Sequence, residues 1–201
     1  MISAFTFSPA QKIPEHVLFP VQTHSANILE VKTGEENLEQ CDGLLTKDRR
    51  FLLGVQTADC AAITFIGKKY FGVVHAGWRG LQQGIVEKML AKFTDDTLEN
   101  IAISPLYPVF EIQKDDCYKR LHEKFGAEFF TEKNGKIFFF FLEALQSILP
   151  FSSFCHESTY KNKKWASWRR DGTNLRNKTV IGDLSLLRKS GTIARNVLRL
   201  I

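Results

Sequence analysis

Three apolar segments that favour β-strands follow one another with only short breaks, at residues 51–57, 61–66 and 69–74. Segments of this kind are typical of buried strands. Gly67 and Lys68 separate the last two segments, and a Gly-X pair is a common two-residue hairpin loop. We therefore predict a buried antiparallel hairpin, and the rest of the fold must be built around it.

The same loop predicts which residues face each other across the hairpin. If Ile66 faces Lys69, then Cys60 faces His75 at the open end. Directly opposed residues have Cβ atoms about 4.5–5.5 Å apart, whereas a shift by one residue would put the two side chains on opposite faces. The predicted neighbours suit a shared Zn²⁺ ion or a thiolate–imidazolium pair. The alternative is a structural Cys and His without chemistry.

The remaining segments mix strands and helices without strict alternation, which favours an α/β or α+β layered fold with a mixed β-sheet flanked by helices. Apolar residues recur every four positions in helices predicted near 81–93 and 114–125. The other predicted elements are strands at 28–31, 101–104 and 137–142, a helix near 143–149, a long polar and basic loop at 155–178, and a basic amphipathic helix at 184–200. The length of 201 residues fits one domain.

Composition excludes several classes of protein. The N-terminus has no basic segment followed by an apolar stretch, and the longest apolar windows are interrupted by polar residues, so neither a secretory signal nor a membrane partner is expected. Four widely spaced cysteines without a CxxC pair predict thiols in a reducing, cytoplasmic compartment. The formal charge of +5 is only mildly basic; it predicts no nucleic-acid partner, although a basic cluster at 161–170 suits phosphate-bearing ligands or a solvated surface.

Three motifs carry a resemblance to a known family. They are VQTHSANILEV, VQTADCAAITF and VVHAGWRGLQQGI, which contain His24, Cys60 and His75. They resemble the Gln-x-His-Gly, Thr-Ala-Asp-Cys and His-Ala-Gly-Trp-Arg-Gly elements of the laccase-domain, YfiH-like family. Its members were first labelled multicopper polyphenol oxidases and later purine nucleoside phosphorylases. Further similarity at CDGLLT, FEI and SWRRDGTNLR extends the resemblance over residues 20–182 and leaves 183–201 as a basic C-terminal tail.

The resemblance implies a fold similar to the catalytic domain of cytotoxic necrotizing factor. It also implies that His24, Cys60 and His75 are both catalytic residues and ligands of zinc. Three protein ligands with an open fourth position are typical of catalytic zinc. The same ligands suit copper, but they are too few for a multicopper centre. The implied substrates are phosphate and a purine nucleoside (adenosine, inosine or methylthioadenosine), and the resemblance extends the expectation to deamination of adenosine.

Other residues are expected around this centre. The residues expected to contact phosphate or substrate, with salt bridges as the alternative for the arginines, are Gln22, Arg79, Arg169 and Arg170. Asp59 is expected to orient a ligand histidine or to cap its own turn. The tryptophans that either stack on a purine or pack in the core are Trp78, Trp165 and Trp168.

Other functions stay open at this point. A cysteine hydrolase or deamidase would use Cys60 as the nucleophile and His75 as the base, without need of His24. A copper-dependent polyphenol oxidase and a non-catalytic family member are the further alternatives. The chain carries Ser25 where the family has Gly, and Pro108-Val109 where it has paired cysteines. It also starts too late to contain an N-terminal segment that family members usually have; if that segment binds substrate, we expect altered or lost activity.

Overall fold

The computed structural model describes residues 1–189 and 197–201. In chain order its strands are β1 (Ile2–Phe7), β2 (Val17–Leu18), β3 (Ile28–Glu30), β4 (Gly43–Thr46), β5 (Leu52–Thr57), β6 (Ala61–Gly67), β7 (Phe71–Ala76), β8 (Leu98–Ile103), β9 (Val109–Ile112), β10 (Phe130–Lys133), β11 (Lys136–Phe140), β12 (Ser153–Phe154), β13 (Asn177–Asp183) and β14 (Leu198–Arg199). The α-helices are α1 (Trp78–Gln82), α2 (Ile85–Ala91), α3 (Asp116–Phe125), α4 (Phe141–Ile148), α5 (Trp168–Asp171) and α6 (Leu184–Lys189).

The strands of the described ranges form three sheets. A six-stranded sheet has the order β12-β8-β6-β7-β4-β3, a five-stranded sheet has the order β14-β1-β13-β5-β2, and a small sheet has the order β10-β11-β9. Parallel pairs occur at β3–β4, β8–β12 and β2–β5, and the remaining pairs are antiparallel. The predicted layered fold with mixed sheets and flanking helices is confirmed.

Both faces of the six-stranded sheet are buried. On one face, Phe65 and Val74 pack in a cluster with α2, α3 and α4. On the other face, Ile66 and Val73 pack in a second cluster with residues of the five-stranded sheet, including Val55. Because strands covered on both faces need apolar residues at every position, the segments at 61–66 and 69–74 are almost continuously apolar.

The predicted hairpin is present as β6 and β7, but its predicted register is wrong by two residues. Ala62 lies opposite His75, and Ala61 lies opposite Ala76. A shift of two residues keeps side chains on the same face of a sheet. Cys60, just before β6, therefore stays on the side of His75 but becomes its diagonal neighbour instead of its direct partner.

The register differs because the hairpin loop is longer than two residues. The Asp96 carboxylate accepts hydrogen bonds from the backbone N–H groups of Lys69 (3.0 Å) and Tyr70 (2.8 Å). The N–H of Lys68 is bonded to the carbonyl oxygen of Thr97 at 3.0 Å. A segment distant in sequence thus stabilises a loop over Lys68–Tyr70 and starts β7 two residues later than predicted.

Two predicted helices differ in extent. The helix predicted at 81–93 is divided into α1 and α2, because Gly84 takes a left-handed conformation with φ of 82°. Of the helix predicted at 184–200, the structure shows α6 over Leu184–Lys189, residues 190–196 lie outside the described residues, and β14 pairs with β1. The prediction is therefore wrong at its end, where the edge of β1 offers strand pairing. Within the described ranges, no helix has the length and apolar character needed to cross a membrane.

Candidate metal centre

Side chains from three separate segments meet at the open end of the β6–β7 hairpin. His24 lies between β2 and β3, Cys60 lies where the chain passes from the five-stranded to the six-stranded sheet, and His75 lies on β7. Their ligand atoms all lie within 4.8 Å of one another. The two imidazole rings meet edge to face, with centroids 4.7 Å apart. Two imidazoles and one thiol so close together are a donor set that fits Zn²⁺ or a copper ion.

The backbone around these residues is shaped for close approach. His24 and Asp59 have φ of 60° and 89°, in the left-handed region that few side chains favour. Gly77 follows β7 immediately, and a Cβ at this position would lie 3.0 Å from the Sγ of Cys60 and 3.1 Å from the Cδ2 of His24. Glycine at this position therefore leaves the space in which Cys60 and His24 meet.

A buried carboxylate that the sequence analysis did not single out organises two of the three segments. Asp42 is fully buried, and it accepts a hydrogen bond from the Nδ1 of His75 at 2.7 Å. It also accepts bonds from the backbone N–H groups of Thr23 (3.0 Å), His24 (3.0 Å) and Ser25 (2.7 Å). The hydroxyl of Ser25 donates a further bond at 2.9 Å. Asp42 thus joins β7 to the segment that carries His24.

These contacts also fix the charge of the groups. Burial raises the pKa of Asp42, but the hydrogen bonds from His75, Ser25 and Thr23 prevail and lower it to about 2. With Asp42 ionised, the Nδ1 of His75 carries the proton that Asp42 accepts, and Nε2 is the ring nitrogen that Asp42 does not bind.

The thiol and the imidazole stabilise each other in their charged forms. Burial raises the pKa of Cys60, but the charge of His75 and hydrogen bonds from both histidines lower it to about 6. Burial lowers the pKa of His75, whereas Cys60 and Asp42 together raise it to about 9. The thiolate is the form that binds a metal ion or acts as a nucleophile.

A cleft of about 790 Å³ opens over the three residues. Its apolar lining comes from Phe19, Pro20, Val21, Trp78 and Trp168. Its cationic lining comes from Arg79, Arg169 and Arg176. In the described part of the chain, the arginine salt bridges are those of Arg50 and Arg170. No carboxylate therefore pairs with the three arginines of the cleft among the described residues, although Arg176 donates to the carbonyl oxygens of Thr173 (2.9 Å) and Leu175 (2.8 Å) through one of its terminal nitrogens.

Of the three arginines predicted to bind phosphate, two line the cleft and one does not. Arg79 is exposed at the cleft, with its guanidinium 4.1 Å from the centre of the Trp78 ring. Arg169 also lines the cleft. Arg170 does not line it, because its guanidinium donates to the carbonyl oxygens of Thr159 (2.6 Å) and Trp165 (2.9 Å). The prediction that Arg170 contacts substrate is therefore corrected to a role in holding the loop.

Gln22 and Asp59 are both bonded to other parts of the protein. Gln22 lines the cleft, but its amide is bonded twice to the backbone of Gln56, at 2.8 and 2.7 Å. Asp59 accepts hydrogen bonds from the Thr159 hydroxyl (2.7 Å) and the Arg169 backbone N–H (2.8 Å). The histidine-orienting contact predicted for Asp59 is made by Asp42, and Asp59 instead ties the 155–178 loop to the site.

One of the three tryptophans is buried in the protein, and the other two line the cleft. Trp165 is fully buried, and its ring N–H is bonded to Glu157. Trp168 is 59% exposed and lines the cleft, as does the half-buried Trp78.

The sequence analysis did not single out Arg176 or Asp42 as residues of the site. Arg176 is the last residue of the SWRRDGTNLR motif, which could have pointed to it. Asp42 is the second residue of the CDGLLT motif, which could have pointed to it in the same way.

The comparisons with known proteins agree with the resemblance seen in the sequence. Residues 6–181 match the family described as multi-copper polyphenol oxidoreductase laccase. The chain is 32% identical over 127 residues to a purine nucleoside phosphorylase of Aquifex aeolicus, covering 62% of this chain and 60% of that protein. It is 32% identical over 132 residues to one of Staphylococcus epidermidis, covering 59% of this chain and 50% of that protein. The chain thus spans only 50–60% of the length of these curated relatives.

Solved structures share the fold. A Neisseria meningitidis protein superposes with a TM-score of 0.72 at 20% identity, covering 85% of this chain and 75% of that one. YlmD of Geobacillus stearothermophilus superposes with a TM-score of 0.71 at 24% identity, covering 84% of this chain and 73% of that one. Since the sequence match extends over most of its length, the chain belongs to the multi-copper polyphenol oxidoreductase laccase family.

Proposed function

We propose that this protein is a zinc-dependent purine nucleoside phosphorylase. The observation that carries the proposal is the convergence of His24, Cys60 and His75 in a cleft that three arginines also line. A cleft of about 790 Å³ lies in the range of small-molecule sites. The names of the relatives from Aquifex and Staphylococcus support the same reaction.

The cleft residues suit the two substrates. Arg79, Arg169 and Arg176 would bind phosphate through paired N–H donors. Val21 and Trp168, both more than half exposed at the cleft, offer apolar surface for the purine. In the reaction, a phosphate oxygen forms a bond to C1′ of the ribose, and the base leaves with the electrons of the broken C–N bond. The products are the free base and ribose 1-phosphate.

The residues present fit the metal that this function needs. His24, Cys60 and His75 would hold zinc, and copper is the other ion that this donor set accepts. Bound zinc would supply a Lewis acid. Asp42 holds the Nδ1 proton of His75, so Nε2 is the ring nitrogen that would give up its proton and bind the metal. The exposed position of His24 leaves the centre open to the cleft.

The activity is tested by incubating the zinc-loaded protein with adenosine, inosine or methylthioadenosine, with and without phosphate. Chromatography should show adenine, hypoxanthine and adenine respectively, only with phosphate. Inosine formed from adenosine would reveal deaminase activity as well. Release of base from none of the three nucleosides, or release that does not depend on phosphate, would contradict the proposal.

One observation favours a second candidate, a cysteine hydrolase or deamidase. Cys60, His75 and Asp42 form a chain in which Asp42 orients an imidazole beside a thiol of lowered pKa, as in hydrolases with a Cys nucleophile. His24 separates the two functions. A hydrolase of this kind does not need a second imidazole within 4.8 Å of the thiol, whereas a metal centre does.

A further inference from the structure

The hydroxyl of Thr57 stands out among the buried polar groups of this protein. Thr57 ends β5, is 2% exposed, and lines the cleft beside Cys60. Its Oγ1 has no hydrogen-bond partner within the described residues. Asn177 faces Thr57 across the β5–β13 pair, but the amide oxygen and nitrogen of Asn177 are bonded to the backbone of Ala166, at 2.9 and 3.0 Å.

Three further pairs or contacts show how buried threonine hydroxyls in the described residues find partners. Thr6 and Thr179 bond to each other at 2.9 Å, Thr46 bonds to the carbonyl oxygen of Val31 at 2.7 Å, and Thr159 bonds to Asp59 at 2.7 Å. In the described ranges, the unpartnered buried hydroxyls are those of Thr57 and Ser3. Ser3 lies on β1 and does not line the cleft.

An unpartnered buried hydroxyl lowers stability relative to a methyl group of the same size, because the hydroxyl loses its hydrogen bonds to water. The Oγ1 of Thr57 is itself shielded from solvent, but the residue lines the cleft, so a ligand there can satisfy the hydroxyl after a change of rotamer. Rotation about the Cα–Cβ bond moves the hydroxyl between staggered positions, so the group can turn towards a molecule that enters.

The chemistry of the cleft indicates which part of the ligand this would be. Phosphate is matched by the guanidinium groups of Arg79, Arg169 and Arg176. With phosphate assigned to the arginines, the sugar hydroxyls remain as partners for a neutral hydroxyl, which both donates and accepts. We propose that Thr57 hydrogen-bonds a sugar hydroxyl of the nucleoside bound in the cleft, an inference that rests on the proposed function.

The test compares Thr57→Val, Thr57→Ser and the matched control Ser3→Ala, all as zinc-loaded full chains. Thr57→Val should keep or raise the unfolding temperature, because it replaces an unpartnered hydroxyl with a methyl group. It should lower kcat/KM for inosine about 5- to 10-fold, the effect of losing one neutral hydrogen bond, and leave the KM for phosphate unchanged. Thr57→Ser should stay within about twofold of the wild type. Ser3→Ala should show the same thermal behaviour without any kinetic change.

Several outcomes would overturn the inference. The first is a kcat/KM for inosine in Thr57→Val equal to that of the wild type. The second is a loss of kcat/KM in Thr57→Ser as large as that in Thr57→Val. The third is a change in Thr57→Val that is confined to the KM for phosphate, and the fourth is a lowered unfolding temperature of Thr57→Val. If the wild type is active and Thr57→Val has the same kcat/KM for inosine, the contact is overturned but the proposed function stays intact.

An inactive wild type would instead remove the proposed function, and thermal shifts with inosine then decide about Thr57. A shift in the wild type that is lost in Thr57→Val supports the contact. An equal shift in both proteins, or no shift in the wild type, overturns it.

Discussion

At the scale of single residues, the site depends on Asp42 as much as on the three candidate ligands. This carboxylate receives five hydrogen bonds, from the ring of His75, three consecutive backbone N–H groups and the Ser25 hydroxyl. All five groups are donors, so only an ionised carboxylate satisfies them together. The imidazole of His75 and the left-handed turn at His24 are therefore set by one buried charge.

This arrangement predicts the effect of Asp42→Asn. The amide would bring two N–H donors among five donors and would remove the charge that faces His75, so we expect a loss of at least about 2 kcal/mol in the free energy of unfolding. Zinc affinity should fall about 10- to 100-fold, as for other groups that orient a ligand histidine. Urea unfolding and competition with a chelator measure the two effects.

The control is Asp48→Asn, which changes the charge equally at a carboxylate bonded to the exposed Arg50. It should leave zinc affinity unchanged and alter stability by less than about 1 kcal/mol. Wild-type zinc affinity in Asp42→Asn would show that Asp42 does not position the ligand.

The residues of the site were predictable to different degrees. His24, Cys60 and His75 could be found because each lies in a motif with a chemically distinctive side chain. Asp42 could not be assigned its role, because its contact with His75 depends on the pairing of β4 with β7 across 33 residues. The same holds for Arg170, whose carbonyl partners depend on the path of the 159–165 loop.

At the scale of elements, the β6–β7 hairpin shows how a distant side chain sets a register. The apolar composition predicted both strands, and the Gly67-Lys68 pair predicted a short loop. The carboxylate of Asp96, 26 residues after Tyr70, stabilises a longer loop instead. Periodicity also missed the division of the helix at Gly84, because apolar residues keep the same spacing on both sides of the break.

We predict that Asp96→Ala destabilises the hairpin. It removes the hydrogen bonds to Lys69 and Tyr70 and should lower the free energy of unfolding by about 1–3 kcal/mol, as expected for backbone donors left without their partner. Asp95→Ala is the matched control, because this neighbour supports Lys69 through its backbone carbonyl oxygen, which alanine keeps. Urea denaturation of both variants gives the comparison. Equal stability of the two would mean that the Asp96 side chain does not hold the loop.

At the scale of the whole molecule, the site forms where the two large sheets are joined. β5 ends at Thr57 in the five-stranded sheet, and β6 begins at Ala61 in the six-stranded sheet, so Cys60 lies in the passage between them. The cleft collects residues from the stretches 19–24, 56–60, 75–79 and 168–176. The centre therefore exists only in the folded chain, and a bound metal ion should stabilise the fold by mass action.

The central claim is that His24, Cys60 and His75 share one metal ion, and zinc analysis of the purified protein tests it most directly. The wild type should carry about one zinc per chain, and His24→Ala, Cys60→Ser and His75→Ala should each lose most of it, because three protein ligands form the site. Cys117→Ser, at a half-buried thiol on α3 outside the three-residue group, should keep its zinc. A wild type that takes up no zinc, or a His24→Ala variant that keeps its zinc in full, would contradict the account.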